Sequence, residues 1–213
     1  MRPPGWAAIF CTISMVLTGC AQTASIPAAS AFPAARVTAA VAVYATGPGG
    51  APLRDALVYL HGTAPAAIPE AAPASLDLMD RRFEPRVLAV PAGTTVTFHN
   101  LDTVDHDVYS FSAPKPLSLH LPAQSGVAPL TFLRSGVVVL GCKVHEEMVG
   151  YVYVADTPYF GKTDGEGYVR LAGLPPGSYT LGIWQASAPD KDASGLRTFT
   201  LTAGSELAVR IRL

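Results

Sequence analysis

Short segments in which apolar and polar residues alternate follow one another along most of the chain beyond residue 36. An alternation with a period of two is typical of β-strands that bury one face, and turn residues separate the segments. The pattern predicts a first pair of strands, Val37–Tyr44 and Ala56–Leu60, joined by a turn at Gly47–Gly50. Few segments have the period of an amphipathic helix, so we expect an all-β fold.

A denser series of strands follows from about residue 76. Its predicted members are Leu76–Asp80, Val87–Val90, Thr94–His99, Val108–Ser112, Leu130–Leu133, Gly136–Leu140 and Val149–Val154. Between two of them, Lys115–Ser125 is predicted to be a long connection. This density of short strands is what a β-sandwich requires.

A third series closes the chain after residue 157. Its predicted strands are Tyr168–Leu171, Ser178–Trp184, Phe199–Leu201 and Leu207–Leu213, with a polar loop at Asp190–Gly195. With 213 residues, the chain has room for one or two small β-domains.

The N-terminal segment has the organisation of an export signal. Arg2 gives a thin positive start, and the apolar run Trp6–Leu17 is too short for a membrane-spanning helix. Leu17–Cys20 resembles the lipobox of bacterial lipoproteins, a family in which this cysteine is acylated after cleavage and becomes the mature N-terminus. Ala21 in the following position then implies outer-membrane retention, on the periplasmic side.

We therefore expect a lipoprotein-type signal peptide over residues 1–19, lipidation of Cys20, and a flexible tether over residues 20–36. The alternative is a plain secretory signal that is cleaved near Ala24. The chain has a formal net charge of −1, which gives no electrostatic case for binding nucleic acid or an anionic membrane surface. Membrane contact is expected through the lipid anchor alone.

Candidate chemistry is concentrated in a run of seven residues. Cys142, His145 and Met148 place a thiolate, an imidazole and a thioether where one tight turn can present them together. These are the donors of a His₂Cys copper site with a weak axial methionine, apart from one further histidine. His106 is the leading candidate for the missing donor.

The use of cysteine supports metal ligation. Cys11 and Cys20 both lie in the predicted signal, so Cys142 has no partner for an intramolecular disulfide in the exported protein. An unpaired thiol is open to oxidation there, and coordination to a metal removes that liability. The alternative is a buried, inert cysteine.

Residues 76–156 resemble the cupredoxins, the small blue-copper proteins. The stretches that carry the resemblance are Phe83-x-Pro85, Gly93–Val96, Phe98-x-Asn100-x-Asp102-x₃-His106, and Gly141-Cys142-x₂-His145-x₂-Met148-x-Gly150-x-Val152. The short Cys-x₂-His-x₂-Met loop resembles that of amicyanin, and Met148–Phe160 resembles the exported plastocyanin-like group called methylamine utilization proteins.

The resemblance implies a Greek-key β-sandwich with one type 1 copper ion per chain. It implies that His106, Cys142, His145 and Met148 are the ligands. It also implies that Asn100 and the residue after the first histidine contact the ligand loops. Many cupredoxins have asparagine in the latter position, but this chain has Asp107, and our hypothesis is that its carboxylate lowers the reduction potential.

The flanks of this region resemble a carboxypeptidase-regulatory-like, transthyretin-like β-module. Residues 37–62 resemble its first half and residues 157–213 its second half, so we predict one small β-sandwich split by the inserted cupredoxin. The alternative is two consecutive β-domains, with residues 37–62 adding strands to the cupredoxin.

We expect a carrier of single electrons in the bacterial cell envelope, with a redox protein partner such as a c-type cytochrome or a dehydrogenase. Glu146 and Glu147 flank the expected exit ligand, and two carboxylates favour a partner with a basic face.

The alternatives are copper storage or delivery, and a structural surface module with a vestigial copper site. An enzyme is not expected, because four protein ligands leave no open coordination position for a substrate. His61, His99 and His120 fit no short chelating motif.

Overall fold

The computed structural model describes residues 38–63, 67–68, 71–188 and 193–213. The predicted signal peptide, Cys20 and the tether lie outside these residues. All described residues belong to one compact unit. Among them, no helix has the length and apolar character needed to cross a membrane.

The structure is all-β, as the sequence predicts, and the described part of the chain forms sixteen strands and one short 3₁₀ turn at Pro48–Gly50. The strands are β1 Ala39–Thr46, β2 Leu57–Gly62, β3 Ala74–Met79, β4 Arg82–Glu84, β5 Val87–Pro91, β6 Thr94–Asn100, β7 His106–Ser110, β8 Leu117–Leu121, β9 Val127–Phe132, β10 Gly136–Cys142, β11 Val149–Ala155, β12 Phe160–Lys162, β13 Tyr168–Leu174, β14 Gly177–Trp184, β15 Ala193–Leu201 and β16 Glu206–Arg212.

Two pairs of sheets are present. We call the first pair the central sandwich: one sheet has the order β5-β11-β10-β7-β8 and the other β4-β3-β6-β9. We call the second pair the flanking sandwich, with sheets β13-β1-β16 and β12-β2-β14-β15. Each has its own apolar core, built from the inward-facing residues of its strands.

The flanking sandwich is built from two separate parts of the sequence. β1 pairs with β13 and β16, and β2 pairs with β12 and β14, so that Val58 lies opposite Ile183. The chain enters this sandwich, leaves it to form the central sandwich, and then returns.

A third apolar cluster joins the two sandwiches. Strand β11 is buried on both faces: Val152 and Val154 point into the central core, whereas Tyr151 and Tyr153 point toward the flanking sandwich. There both tyrosine rings contact Trp184 of β14, with centroids 5.4 and 5.7 Å away. The two sandwiches are therefore joined by a shared apolar core.

Close packing at this junction explains one glycine. Gly182 of β14 lies beside the Tyr59 ring, and a Cβ atom there would stand 2.2 Å from the Tyr59 Cζ. Only glycine leaves room for the ring at this position.

Three strands were not predicted from the sequence. The prediction of a long connection over Lys115–Ser125 is wrong, because Leu117–Leu121 forms β8 at the edge of a sheet. The alternation of leucine with Ser118 and His120 is the signal that was missed. The short strands β4 and β12 carry too few residues to show a period. The polar loop predicted at Asp190–Gly195 lies partly outside the described residues, and its last part belongs to β15.

Substitution of Trp184 by alanine tests the shared core. Trp184 is fully buried, so we expect the free energy of unfolding to fall by about 3–5 kcal/mol, measured by urea denaturation. Phe111→Ala is the matched control, because the Phe111 side chain is 87% exposed and its loss should change stability by no more than about 0.5 kcal/mol. Equal effects of the two substitutions would contradict a shared core.

Candidate metal centre

The structure brings three of the sequence-predicted ligands together. His106 is the first residue of β7, Cys142 is the last residue of β10, and His145 lies in the loop between β10 and β11. One donor atom from each lies within 4.8 Å of the other two. Among the residues that the structure describes, this is the one such group of three or more histidine, cysteine or acidic side chains.

Strand pairing explains how residues 36 positions apart meet. β7 and β10 are antiparallel neighbours, and Val108 lies opposite Cys142. The pairing continues one step beyond β10, where the Lys143 amide donates to the Asp107 carbonyl at 2.9 Å. His106 and Cys142 are consequently held at the same end of the sheet by backbone hydrogen bonds.

The ligand loop is closed by its own tight turn. The Met148 amide donates to the His145 carbonyl at 3.0 Å, which brings the thioether back toward the core. Met148 is 1% exposed and belongs to the same apolar cluster as Cys142. All four predicted ligands are therefore at one end of the central sandwich, with Met148 near the three-residue group.

The two imidazoles and the thiol of this group lie close together. The His106 Nδ1 lies 3.5 Å from the Cys142 Sγ, and the two imidazole centroids are 5.1 Å apart. His106 is fully buried and Cys142 is 3% exposed. The His145 Nδ1 is buried and has no hydrogen-bond partner.

The buried His145 Nδ1 has no hydrogen-bond partner, and this indicates whether the site fits a metal. A buried polar atom without a partner costs about 1–3 kcal/mol, and such atoms are rare in folded proteins. His145 belongs with the buried Cys142 thiol and the His106 imidazole to a group whose donor atoms lie within 4.8 Å of one another, and these are donors that copper prefers. The residues present therefore fit a copper ion, with Met148 available as a weak fourth donor.

Asp102 was not predicted to contact a ligand. Its Oδ2 lies 2.8 Å from the His106 Nε2, the nitrogen that faces away from Cys142. The same carboxylate accepts hydrogen bonds from the backbone amides of Asp80 and Arg81 at 2.7 and 3.0 Å. Burial raises the pKa of Asp102, but the hydrogen bonds from Arg81, His106 and Asp80 outweigh it and leave that pKa below its usual value.

A sequence signal for Asp102 existed. It stands four residues before His106, in the stretch that carries the cupredoxin resemblance. The spacing alone could not show which way the Asp102 carboxylate points, because the residues that hold it, Asp80 and Arg81, lie in the turn between β3 and β4.

Asn100 organises the loop between β6 and β7. Its side-chain Oδ1 accepts from the Asp102 amide at 3.0 Å. Its Nδ2 donates to backbone carbonyls at 2.9–3.0 Å, those of Val104, Leu121 and Pro122. Asn100 thus acts on the chain that leads to His106.

Asp107 does not have the position that the hypothesis requires. Alternation along β7 buries His106 and turns Asp107 to the other face, where its carboxylate lies 2.9 Å from the exposed His120 Nδ1. The backbone carbonyl of Asp107, not its carboxylate, connects to the ligand loop. The expectation that this carboxylate acts on the ligands directly is therefore corrected.

The two other histidines are paired with carboxylates at the surface. His61 contacts Asp156 at 2.8 Å, and His99 contacts Asp77 at 2.9 Å. Neither pair belongs to a group of three donors in the described part of the chain. Both of these histidines lie outside the candidate site.

Comparisons with known proteins give partial matches. No family model matches the chain, and no curated protein matches it. A reduced-state amicyanin variant shares 25% identity over 46% of this chain and 99% of its own, with a TM-score of 0.35.

Two further solved structures are similar over a comparable region. A purple cupredoxin from Nitrosopumilus maritimus has 28% identity, covering 38% of this chain and 99% of its own, with a TM-score of 0.34. A copper-containing nitrite reductase from Thermus scotoductus SA-01 has 27% identity, covering 46% of this chain and 26% of its own, with a TM-score of 0.37. Each match covers less than half of this chain, and the interpretation of the site depends on its own geometry.

Proposed function

We propose that this protein carries single electrons through a type 1 copper site in the bacterial cell envelope. The observation that carries the proposal is the group of His106, Cys142 and His145, whose donor atoms lie within 4.8 Å of one another, together with the buried His145 Nδ1 that has no hydrogen-bond partner. In this proposal the copper would be held by the Cys142 thiolate, the imidazoles of His106 and His145, and the Met148 thioether.

The chain's own residues provide the conditions for electron transfer. Copper bound here would supply the one-electron Cu(II)/Cu(I) couple. His106 and Cys142 are fixed by the paired strands β7 and β10, so their donor atoms have little freedom to move when the charge of the site changes. Burial of His106, Cys142 and Met148 keeps water away from the donors.

Copper storage or delivery is the alternative function. Delivery requires ligands that a second protein can reach and exchange. Here His106 is fully buried and Cys142 is 3% exposed, which disfavours rapid exchange. Burial therefore supports the electron carrier over this alternative.

Addition of Cu(II) to the purified, metal-free protein tests the proposal. We expect an intense blue band from thiolate-to-copper charge transfer at one copper per chain, followed by reversible one-electron voltammetry. The band arises from the Cys142 sulfur, so Cys142→Ala should abolish it. A wild-type protein that binds copper without this band would exclude a type 1 site, and irreversible voltammetry would favour storage.

We propose that the redox partner is a c-type cytochrome or a dehydrogenase with a basic face that approaches Glu146. Both Glu146 and Glu147 are exposed. Glu147 lies in a surface cleft of about 360 Å³ whose other charged residues are Arg81, Arg82, Glu84 and Arg86. Three arginines offset the charge of Glu147, whereas Glu146 shares a second cleft with a single cation, Lys143, so Glu146 is the carboxylate that supports attraction.

The ionic-strength dependence of electron exchange with a basic cytochrome tests this partner. We expect the bimolecular rate constant to fall as salt rises, because salt screens attraction between exposed charges. Glu146→Gln should flatten this dependence, whereas the matched Glu147→Gln should change it little. A wild-type rate that does not vary with salt would contradict the proposal.

We propose that the flanking sandwich is a carboxypeptidase-regulatory-like module that serves as scaffold or docking surface. The pairing of β2 with β12 and β14 supports its split arrangement. The amine of Lys162 on β12 also donates to the Val87 carbonyl of the central sandwich at 2.8 Å. The module is thus connected to the metal-bearing sandwich by both apolar and polar contacts.

We propose that the protein is exported and held at the outer membrane by lipidation of Cys20, in the sequence Leu17–Cys20. Metabolic labelling with radioactive palmitate should mark the full-length chain, and Cys20→Ala should abolish the label and release the protein from the membrane fraction. Secretion of an unlabelled wild-type protein cleaved near Ala24 would instead indicate a plain secretory signal.

A further inference from the structure

We propose that Asp102 is a positioning residue that fixes the tautomer of His106 and increases its electron donation to the metal. The inference rests on the proposed copper function, since it assigns a role at the same site. Its physical basis is the contact between the Asp102 carboxylate and the distal nitrogen of a buried histidine.

The His106 ring is held at both of its nitrogens. Nε2 lies 2.8 Å from the Asp102 Oδ2, and Nδ1 lies 3.5 Å from the Cys142 Sγ. The His106 side chain is 0% exposed and that of Asp102 is 12% exposed, so water does not compete effectively for this contact. The ring orientation is therefore determined by two protein contacts.

The carboxylate is itself immobilised by a turn on other strands. The backbone amides of Asp80 and Arg81 both donate to Asp102, at 2.7 and 3.0 Å. Both turn residues have positive φ, 53° and 56°, which directs their amides toward the same carboxylate. Asp102 thus contacts three donors from two parts of the chain, the Asp80–Arg81 turn and His106.

This arrangement determines which nitrogen of His106 carries the proton. An ionised carboxylate can only accept hydrogen bonds, so Nε2 must be the donor in the Asp102 contact. In the neutral imidazole, the lone pair then lies on Nδ1, which faces Cys142 and the predicted metal position. Both oxygens of Asp102 accept from backbone amides, Oδ1 from Asp80 and Oδ2 from Arg81, which agrees with a carboxylate that acts only as an acceptor.

A carboxylate that is hydrogen-bonded to the distal nitrogen of a ligating histidine also changes which oxidation state of copper the site stabilises. It makes the imidazole a stronger donor, and a stronger anionic field stabilises Cu(II) more than Cu(I). Asp102, and not Asp107, is consequently the carboxylate in this chain that is placed to lower the reduction potential.

Asp102→Asn is the decisive variant. The asparagine can keep its oxygen at the position of Oδ1 for the Asp80 amide and donate from its amide nitrogen to Nε2, which favours the tautomer with the proton on Nδ1. We expect ¹⁵N NMR of the metal-free variant to show loss of the Nε2–H tautomer of His106. The Cu(II) dissociation constant should rise about 10- to 100-fold. If the affinity falls tenfold for Cu(II) but not for Cu(I), the reduction potential rises by about 59 mV.

Asp77→Asn is the matched control, because Asp77 forms a similar contact of 2.9 Å with His99 away from the candidate site. It should leave the His106 tautomer, the copper affinity and the potential unchanged. Urea unfolding of both variants separates a general loss of stability from an effect on the ligand.

One measurement needs no variant and is independent of copper chemistry. In the metal-free wild-type protein, His106 should be found with its proton on Nε2. The Nδ1–H tautomer there, or an Asp102→Asn potential equal to or below that of the wild type, would overturn the proposal. If the wild-type protein gives no blue band, the proposed function fails while the tautomer result still decides the role of Asp102.

Discussion

The antiparallel pairing of β7 with β10 is the constraint on which the candidate site depends. It places Val108 opposite Cys142 and brings the ends of two strands, separated by a long stretch of chain, to one edge of the central sandwich. The Lys143 amide extends the pairing into the ligand loop. Without that register, His106 would have no fixed relation to Cys142, and a slip of one residue would turn its side chain to the opposite face. The metal site is thus a property of the sheet register as much as of the ligand residues.

The flanking sandwich contributes to the same rigidity through β11. This strand begins directly after Met148, and it is buried by the central core on one face and by the aromatic cluster around Trp184 on the other. A strand buried on both faces opens rarely, because its exposure would require both apolar contacts to break. The far end of the ligand loop is therefore anchored in a part of the fold that both sandwiches stabilise. This explains how a short loop of seven residues can present three donors without extensive hydrogen bonds of its own.

The sequence predicts the parts of this protein that are determined locally. The spacing of Cys142, His145 and Met148 indicated a tight turn, and alternation predicted most strands within a few residues of their ends. The all-β class followed from the same pattern. What could not be predicted depends on contacts between distant segments. Asp102 acquires its role only because a turn from β3 and β4 holds it, and Asp107 loses its expected role because strand alternation turns it toward His120. The edge strand β8 carried a visible alternation, whereas β4 and β12 form because neighbouring strands offer them partners.

The donor atoms of the site are polar and mostly buried, and this links metal binding to the stability of the fold. Asn100 and Asp102 satisfy most of the polar groups around the loop that leads to His106, but the His145 Nδ1 stays without a partner. That atom costs the folded state about 1–3 kcal/mol unless something binds it. A metal that binds only the folded protein removes this penalty and adds its own binding free energy to stability. The contact between Asp102 and His106 holds one ligand ring in place before any metal binds, so less of the binding energy is spent on ordering the site. An electron carrier requires ligands that are held rigidly, because the same ligands must bind two charge states of the metal with little rearrangement. The paired strands β7 and β10 provide that rigidity, and the His145 Nδ1 remains available to a metal.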